Sequence, residues 1–147
     1  MEENRLFNNW NRSLLVSLRL PNRSTSEVQN SLQELSSLAY SLGGDVVGKI
    51  IQVSSQVHPA NFFSKGKLAD IKSTIQKDCV DALLVDNQLS PKQIGNLETL
   101  LDCAVLDRTQ LILEIFAKNA LTHEAKLQIE LAQSEYCLLY TSPSPRD

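Results

Sequence analysis

Four short apolar runs alternate with amphipathic stretches between Leu14 and Leu106, and this alternation leaves few architectures open. The runs are Leu14–Leu20, Asp45–Val53, Ala82–Val85 and Cys103–Leu106. Each is too short for a buried helix and is bounded by turn or capping residues, so each reads as a strand. Between them lie stretches with helical spacing. Ser24 and Glu27 form a capping-box pair, and Val28, Leu32, Leu35, Ala39 and Leu42 follow as one stripe up to Gly43-Gly44. A second helix is expected from near Lys67, with Leu68, Ile71 and Ile75 on one face. A third opens at Ser90-Pro91, with Gln93 at the box position and Ile94, Leu97 and Leu101 as its stripe. Strands joined through helices of this length make βαβ units, whose right-handed crossovers give a parallel sheet. Strand order stays open at this stage.

Beyond Leu106 the pattern is purely helical. Thr109 can cap a helix carrying Leu111, Ile112, Ile115 and Phe116 on one face. Thr122 can cap another, with Ala125, Ile129, Ala132 and Tyr136 in one row and Leu127 and Leu131 in the next. So few residues separate the two that an antiparallel helical hairpin is the economical arrangement. The expected fold class is therefore α/β, a small parallel sheet flanked by helices and followed by a helical hairpin. The expected divisions are an α/β subdomain over 1–107, a hairpin over 108–137 and a disordered tail over 138–147.

Composition narrows the function. The 147 residues suit one domain, and a net charge of −3 confines any nucleic-acid contact to a local basic patch. No apolar run reaches bilayer length, and the start of the chain lacks a basic segment leading into an apolar core, so neither a membrane span nor a signal peptide is expected. Cys79, Cys103 and Cys137 are scattered and odd in number, which fits a reducing cytoplasm better than a disulfide framework or a zinc site. The sequons at Asn11 and Asn22 are accordingly read as chance matches.

Few residues carry chemistry. Lys65-Gly66-Lys67 opens a helix and offers backbone N–H groups and two ammonium groups to an anion, either RNA or a nucleotide; a solvated loop is the alternative. It is not a P-loop, because Leu68 follows the lysine and Asn61 stands where the first glycine belongs. Asp86 and Asp107 end predicted strands. They could form a polar lip for a nucleotide or metal, or simply bond the following turns, with Asp107 reaching Arg108. The hairpin turn carries Lys118, Asn119, Thr122, His123 and Lys126, read either as a capped junction or as an RNA contact. His58 and His123 have no nucleophile or paired carboxylate at catalytic spacing, so no catalytic residues are assigned and no metal site is expected.

The segments VVGKIIQV (Val46–Val53), FFSKGKLADI (Phe62–Ile71), LLVDNQLSPKQIGNLETLL (Leu83–Leu101) and VLDRTQLILEIFAKNALTHEAKLQIELAQ (Val105–Gln133) together resemble the N-terminal domain of HflX. HflX is a translational GTPase family whose members bind the large ribosomal subunit and help split stalled ribosomes. The resemblance runs from about Leu14 to Tyr136. It implies docking on the rRNA of the large subunit through the hairpin tip, in the cytoplasm, as a monomer. It also implies that GTP and Mg2+ belong to a GTPase domain in cis that is missing here, so that this chain holds no cofactor and is not itself an enzyme. Two positions depart from the family: Ser64 replaces the first glycine of its Gly-Lys-Gly-Lys loop, and Asn119 replaces an arginine. After Tyr136 the family continues Leu-Leu-Pro-Arg-Leu, whereas this chain ends in a Ser/Pro-rich tail that reads as a non-native sequence scar. Two other readings stand beside this one: an ATP-binding α/β module, and a dimerising interaction domain.

Overall fold

A computed structural model describes residues 11–119 and 127–135. The elements alternate as expected: β1 (Arg12–Arg19), α1 (Thr25–Ser41), β2 (Asp45–Val53), α2 (Lys65–Asp78), β3 (Ala82–Val85), α3 (Pro91–Leu101), β4 (Ala104–Asp107) and α4 (Arg108–Asn119). Residues 127–135 form a further helix, α5. All three strand pairings are parallel, and the order across the sheet is β2-β1-β3-β4. The chain thus winds one way from β1 to β2, then reverses and places β3 and β4 on the other side of β1. Right-handed crossovers consequently put helices on both faces of the sheet.

Alternation along β1 sorts the core into two. Leu14, Val16 and Leu18 point to the face covered by Leu68, Ile71 and Ile75 of α2 and Leu97 and Leu101 of α3. Leu15 points the other way, to Val28, Leu32, Leu35 and Ala39 of α1 and Leu111 and Ile115 of α4. The four residues of β3 are all buried, as a central strand covered on both sides requires.

Helix ends follow the sequence closely. Ser24 and Glu27 form the expected capping box, as do Ser90 and Gln93. At the end of α1, Gly43 has φ +89°; its N–H bonds Tyr40 O at 2.9 Å and that of Gly44 bonds Ala39 O at 3.3 Å, a Schellman closure.

Three local expectations need correction. Helix α2 starts at Lys65, because Ser64 Oγ accepts from Lys67 N at 3.2 Å and caps it there. Helix α4 is capped not by Thr109 but by Asp107, whose Oδ1 accepts from Gln110 N at 3.0 Å. Its buried residues are Leu111, Glu114, Ile115 and Ala117, whereas Phe116 is 54 % exposed. The polar loop after β2 is held by its own contacts. His58 and Phe62 exchange backbone hydrogen bonds of 3.1 and 2.9 Å, and Phe62 and Phe63 are driven into the core edge to face. The predicted turn between α4 and α5 lies outside the described residues.

Candidate functional site

In an open parallel sheet, ligands gather at the carboxyl ends of the strands, where the winding direction reverses. Here that point lies between β1 and β3, and the chain fills it with its own side chains. Asn87, just past β3, continues the ladder: Leu18 N donates to its Oδ1 at 2.8 Å, and its Nδ2 donates to Leu18 O at 3.0 Å. Beside it the carboxylate of Asp86 is wholly buried. Its Oδ1 accepts from Ser31 Oγ at 2.7 Å and from Arg108 Nη2 at 3.1 Å, while Arg23 Nη1 stands 3.6 Å from Oδ2. Arg108 also donates to Ser31 O at 2.8 Å and lies 3.5 Å from Glu34. The arginine that sequence alone would pair with Asp107 is therefore engaged by Asp86. Asp107 accepts from Leu89 N at 3.2 Å besides capping α4. Both strand-end carboxylates are thus tied into the frame.

Lys65-Gly66-Lys67 form the first turn of α2 at this same edge. Lys65 is exposed. The Lys67 amide is taken by Ser64, and its ammonium lies 3.9 Å from Asp70. Gly66 has an ordinary backbone, and an added Cβ would meet nothing within 4 Å, so the loop has no steric need for glycine there.

Lys118 and Asn119 lie at the other end of the molecule. Lys118 Nζ donates to Ser41 O at 3.2 Å, the last carbonyl of α1, so the end of α4 sits beside the end of α1 at the amino-terminal edge of the sheet. Asn119 is exposed. Thr122, His123 and Lys126 lie outside the described residues. Lys118 therefore stands the length of α4, about 18 Å at 1.5 Å per residue, from the edge where that helix starts.

His58 serves the fold. Its Nδ1 accepts from Ala60 N and Asn61 N, each at 3.2 Å, and Gln93 and Asn96 of α3 clamp the same loop through its carbonyls. Burial, reinforced by the charge of Glu98, raises the Cys103 thiol to about 11, which keeps it protonated and unreactive near neutrality. Among the described residues no group of His, Cys, Asp or Glu could hold a metal ion, and no helix is long and apolar enough to cross a membrane.

Sequence reasoning singled out neither Arg19, Arg23 and Lys92 nor the Ser31–Asp86–Arg108 network. A signal was present for Arg23 and Lys92, which sit at or just before helix starts, whereas Arg19 ends β1. The network joins residues far apart in the chain, and no local pattern announces it.

Comparison with known proteins places this geometry. The family model described as "GTP-binding GTPase N-terminal" matches residues 29–117. The GTPase HflX of Lacrimispora saccharolytica is 43 % identical over 110 residues, covering 75 % of this chain and 26 % of that protein. The GTPase HflX of Caldanaerobacter subterraneus is 38 % identical over 138 residues, 94 % of this chain and 31 % of the relative. The GTPase HflX of Escherichia coli is 45 % identical over 102 residues, 69 % and 24 %. This chain thus spans about a quarter to a third of these relatives. Among solved structures, a GTP-binding protein from Sulfolobus solfataricus in complex with GDP superposes with a TM-score of 0.65 at 27 % identity, covering 86 % of this chain and 36 % of that one. The matched segment takes in most of α4 and the whole sheet except β1, so the chain belongs to the GTP-binding GTPase N-terminal family, with the HflX GTPases as its relatives.

Proposed function

We propose that this chain is the docking domain of an HflX-type translational GTPase and that it carries the hairpin tip to rRNA of the large ribosomal subunit. Family membership over residues 29–117 is the observation that supports the reading. Lys118 and Asn119, with Thr122, His123 and Lys126, supply cations and hydrogen-bond donors at the tip. Their ammonium groups meet phosphates and release counterions, so binding weakens steeply with salt. GTP hydrolysis, with its GTP and Mg2+, belongs to another domain of the parent protein. This chain carries no G-x-x-x-x-G-K-[ST] sequence and does not hydrolyse GTP. The domain works in the cytoplasm as a monomer.

Co-sedimentation with large ribosomal subunits tests the reading. The chain should pellet with subunits at low salt and dissociate at high salt. Lys118→Ala with Lys126→Ala should weaken binding and flatten its salt dependence by about two counterions. Absence of binding at low salt would refute the proposal. The nucleotide-module reading gains no support from the strand-end carboxylates, which are engaged within the frame. Calorimetry with ATP and GTP in the absence of ribosomes would revive it if heat of binding appeared.

A further inference from the structure

Among the described residues the buried charged side chains are Asp86, Asp107 and Glu114, and all of them concern one helix. Asp86 holds Arg108, the first residue of α4, at 3.1 Å; Asp107 caps α4 through Gln110 N at 3.0 Å; and Glu114 lies on α4 itself. Helices α2 and α3 bury no charge and meet the sheet through apolar side chains. Helix α4 is also tied to α1 at both ends. Arg108 Nη2 donates to Ser31 O at 2.8 Å, and at the far end Lys118 Nζ donates to Ser41 O at 3.2 Å. Both ties join residues 77 positions apart, so α1 and α4 run parallel and in step. Between the ties, Leu32, Leu35 and Ala39 of α1 share one apolar cluster with Leu111 and Ile115 of α4.

Stability alone does not call for this arrangement. Taking a carboxylate and a guanidinium out of water costs much of what their attraction returns, and an apolar pair of similar volume often serves as well. What the buried charges add is direction. Apolar contact lets a helix slide or roll on its neighbour. The Asp86 carboxylate, in contrast, is compensated only while Ser31 Oγ and the Arg108 guanidinium stay in place. That guanidinium reaches Asp86, Ser31 and Glu34 together, so it fixes the rotation of α4 as well as its distance from α1. The helix held in this way is the last one on the sheet, and from it the chain passes to α5.

We infer that Ser31, Asp86 and Arg108 are positioning residues for docking: they aim α4, and with it the hairpin tip, at the surface the tip binds. The inference rests on the docking reading above and adds to it a requirement for orientation. The Asp86 side chain is 0 % exposed, and the Arg108 guanidinium is engaged by its three partners, so the set acts through α4 and not by contact. Without the clamp the tip keeps all its cations, but a smaller fraction of molecules presents them in the competent orientation. Apparent affinity falls by that fraction. The salt slope, which counts phosphate contacts, stays the same.

Two variants of the whole chain test it. Asp86→Ala with Arg108→Met exchanges the ion pair for an apolar one, and Arg108→Lys keeps the charge but loses the fork, so it serves even if the double variant does not fold. Hydrogen exchange of the free chain, read by mass spectrometry, should be about tenfold faster in α4 of the double variant and unchanged in α2 and α3; a general loss of stability would speed all three. In co-sedimentation with large ribosomal subunits the double variant should bind about tenfold more weakly, with the salt slope of the wild type. Arg108→Lys should fall between the two in both measurements. Exchange that stays uniform across the helices would overturn the clamp while leaving docking intact. Selective loosening of α4 with unchanged affinity would overturn the positioning role, as would wild-type behaviour of Arg108→Lys. A shallower salt slope would make Arg108 a phosphate contact instead. Failure of the wild type to pellet at low salt would refute docking itself and the positioning role with it, a result that the exchange measurement keeps separate from failure of the clamp.

Discussion

The two faces of the sheet are held by different physics. The face under α2 and α3 is almost wholly apolar, with Phe62 and Phe63 sealing it from the loop side. The face under α1 and α4 has its own apolar patch but adds Ser13 and Ser17 from β1 and the Ser31–Asp86–Arg108 network. Apolar burial is non-directional and tolerates small shifts of a helix. A buried carboxylate is compensated only while its donors stay in place, so it fixes where α1 and α4 stand relative to the strand ends. The first face supplies cohesion, and the second supplies position.

The largest expected effect attacks the first face. Phe63→Ala removes a side chain that is 1 % exposed and should cost about 3–5 kcal/mol in denaturant unfolding. A loss below about 1 kcal/mol would mean that the loop after β2 is not part of the core. On the second face, Asp86→Ala should cost about 3 kcal/mol by leaving Arg108 without its buried partner, and adding Arg108→Met should recover part of that loss. If the two losses instead simply add, the network is not acting as a unit.

Cys103 packs against the first face and gives a pH signature. Its folded value of about 11 lies above the ordinary 9.0, chiefly through burial, so the native state holds the proton more tightly than the unfolded chain. The resulting stabilisation is complete below about pH 9 and is lost as pH rises through about 11. Melting curves across this window should therefore fall for the wild type and fall less for Cys103→Ala; identical slopes would exclude the thiol as the cause. The smallest effect is a gain. Gly66→Ala should add a few tenths to about 1 kcal/mol, because the site is helical and open, and a loss would reveal a contact made by the bare backbone.

The elements were legible because their signals are local. Ser24 with Glu27, Ser90 with Pro91 and Gln93, and Gly43-Gly44 each act within one turn, and β2 and β3 matched residue for residue. Errors arose where two local signals competed. At the start of α4, Asp107 and Thr109 can both cap, and the sheet position of Asp107 decided between them. Phe116 shares the apolar spacing of Leu111 and Ile115, yet α1 and the sheet cover only the face that those two occupy. The candidate site was legible only in part. Asp86 was found as a strand-end carboxylate, but its partnership with Ser31 and Arg108 needs α1, β3 and α4 to be brought together.

By itself the sequence determined the order and kind of the elements, the caps of α1 and α3 and the family, because capping, periodicity and motif spacing act over short stretches of chain. Only the tertiary structure decided the strand order β2-β1-β3-β4 and the burial of Asp86 against Ser31 and Arg108. Those depend on which distant segments meet, and that choice is made by shared burial across the sheet, which no local pattern encodes.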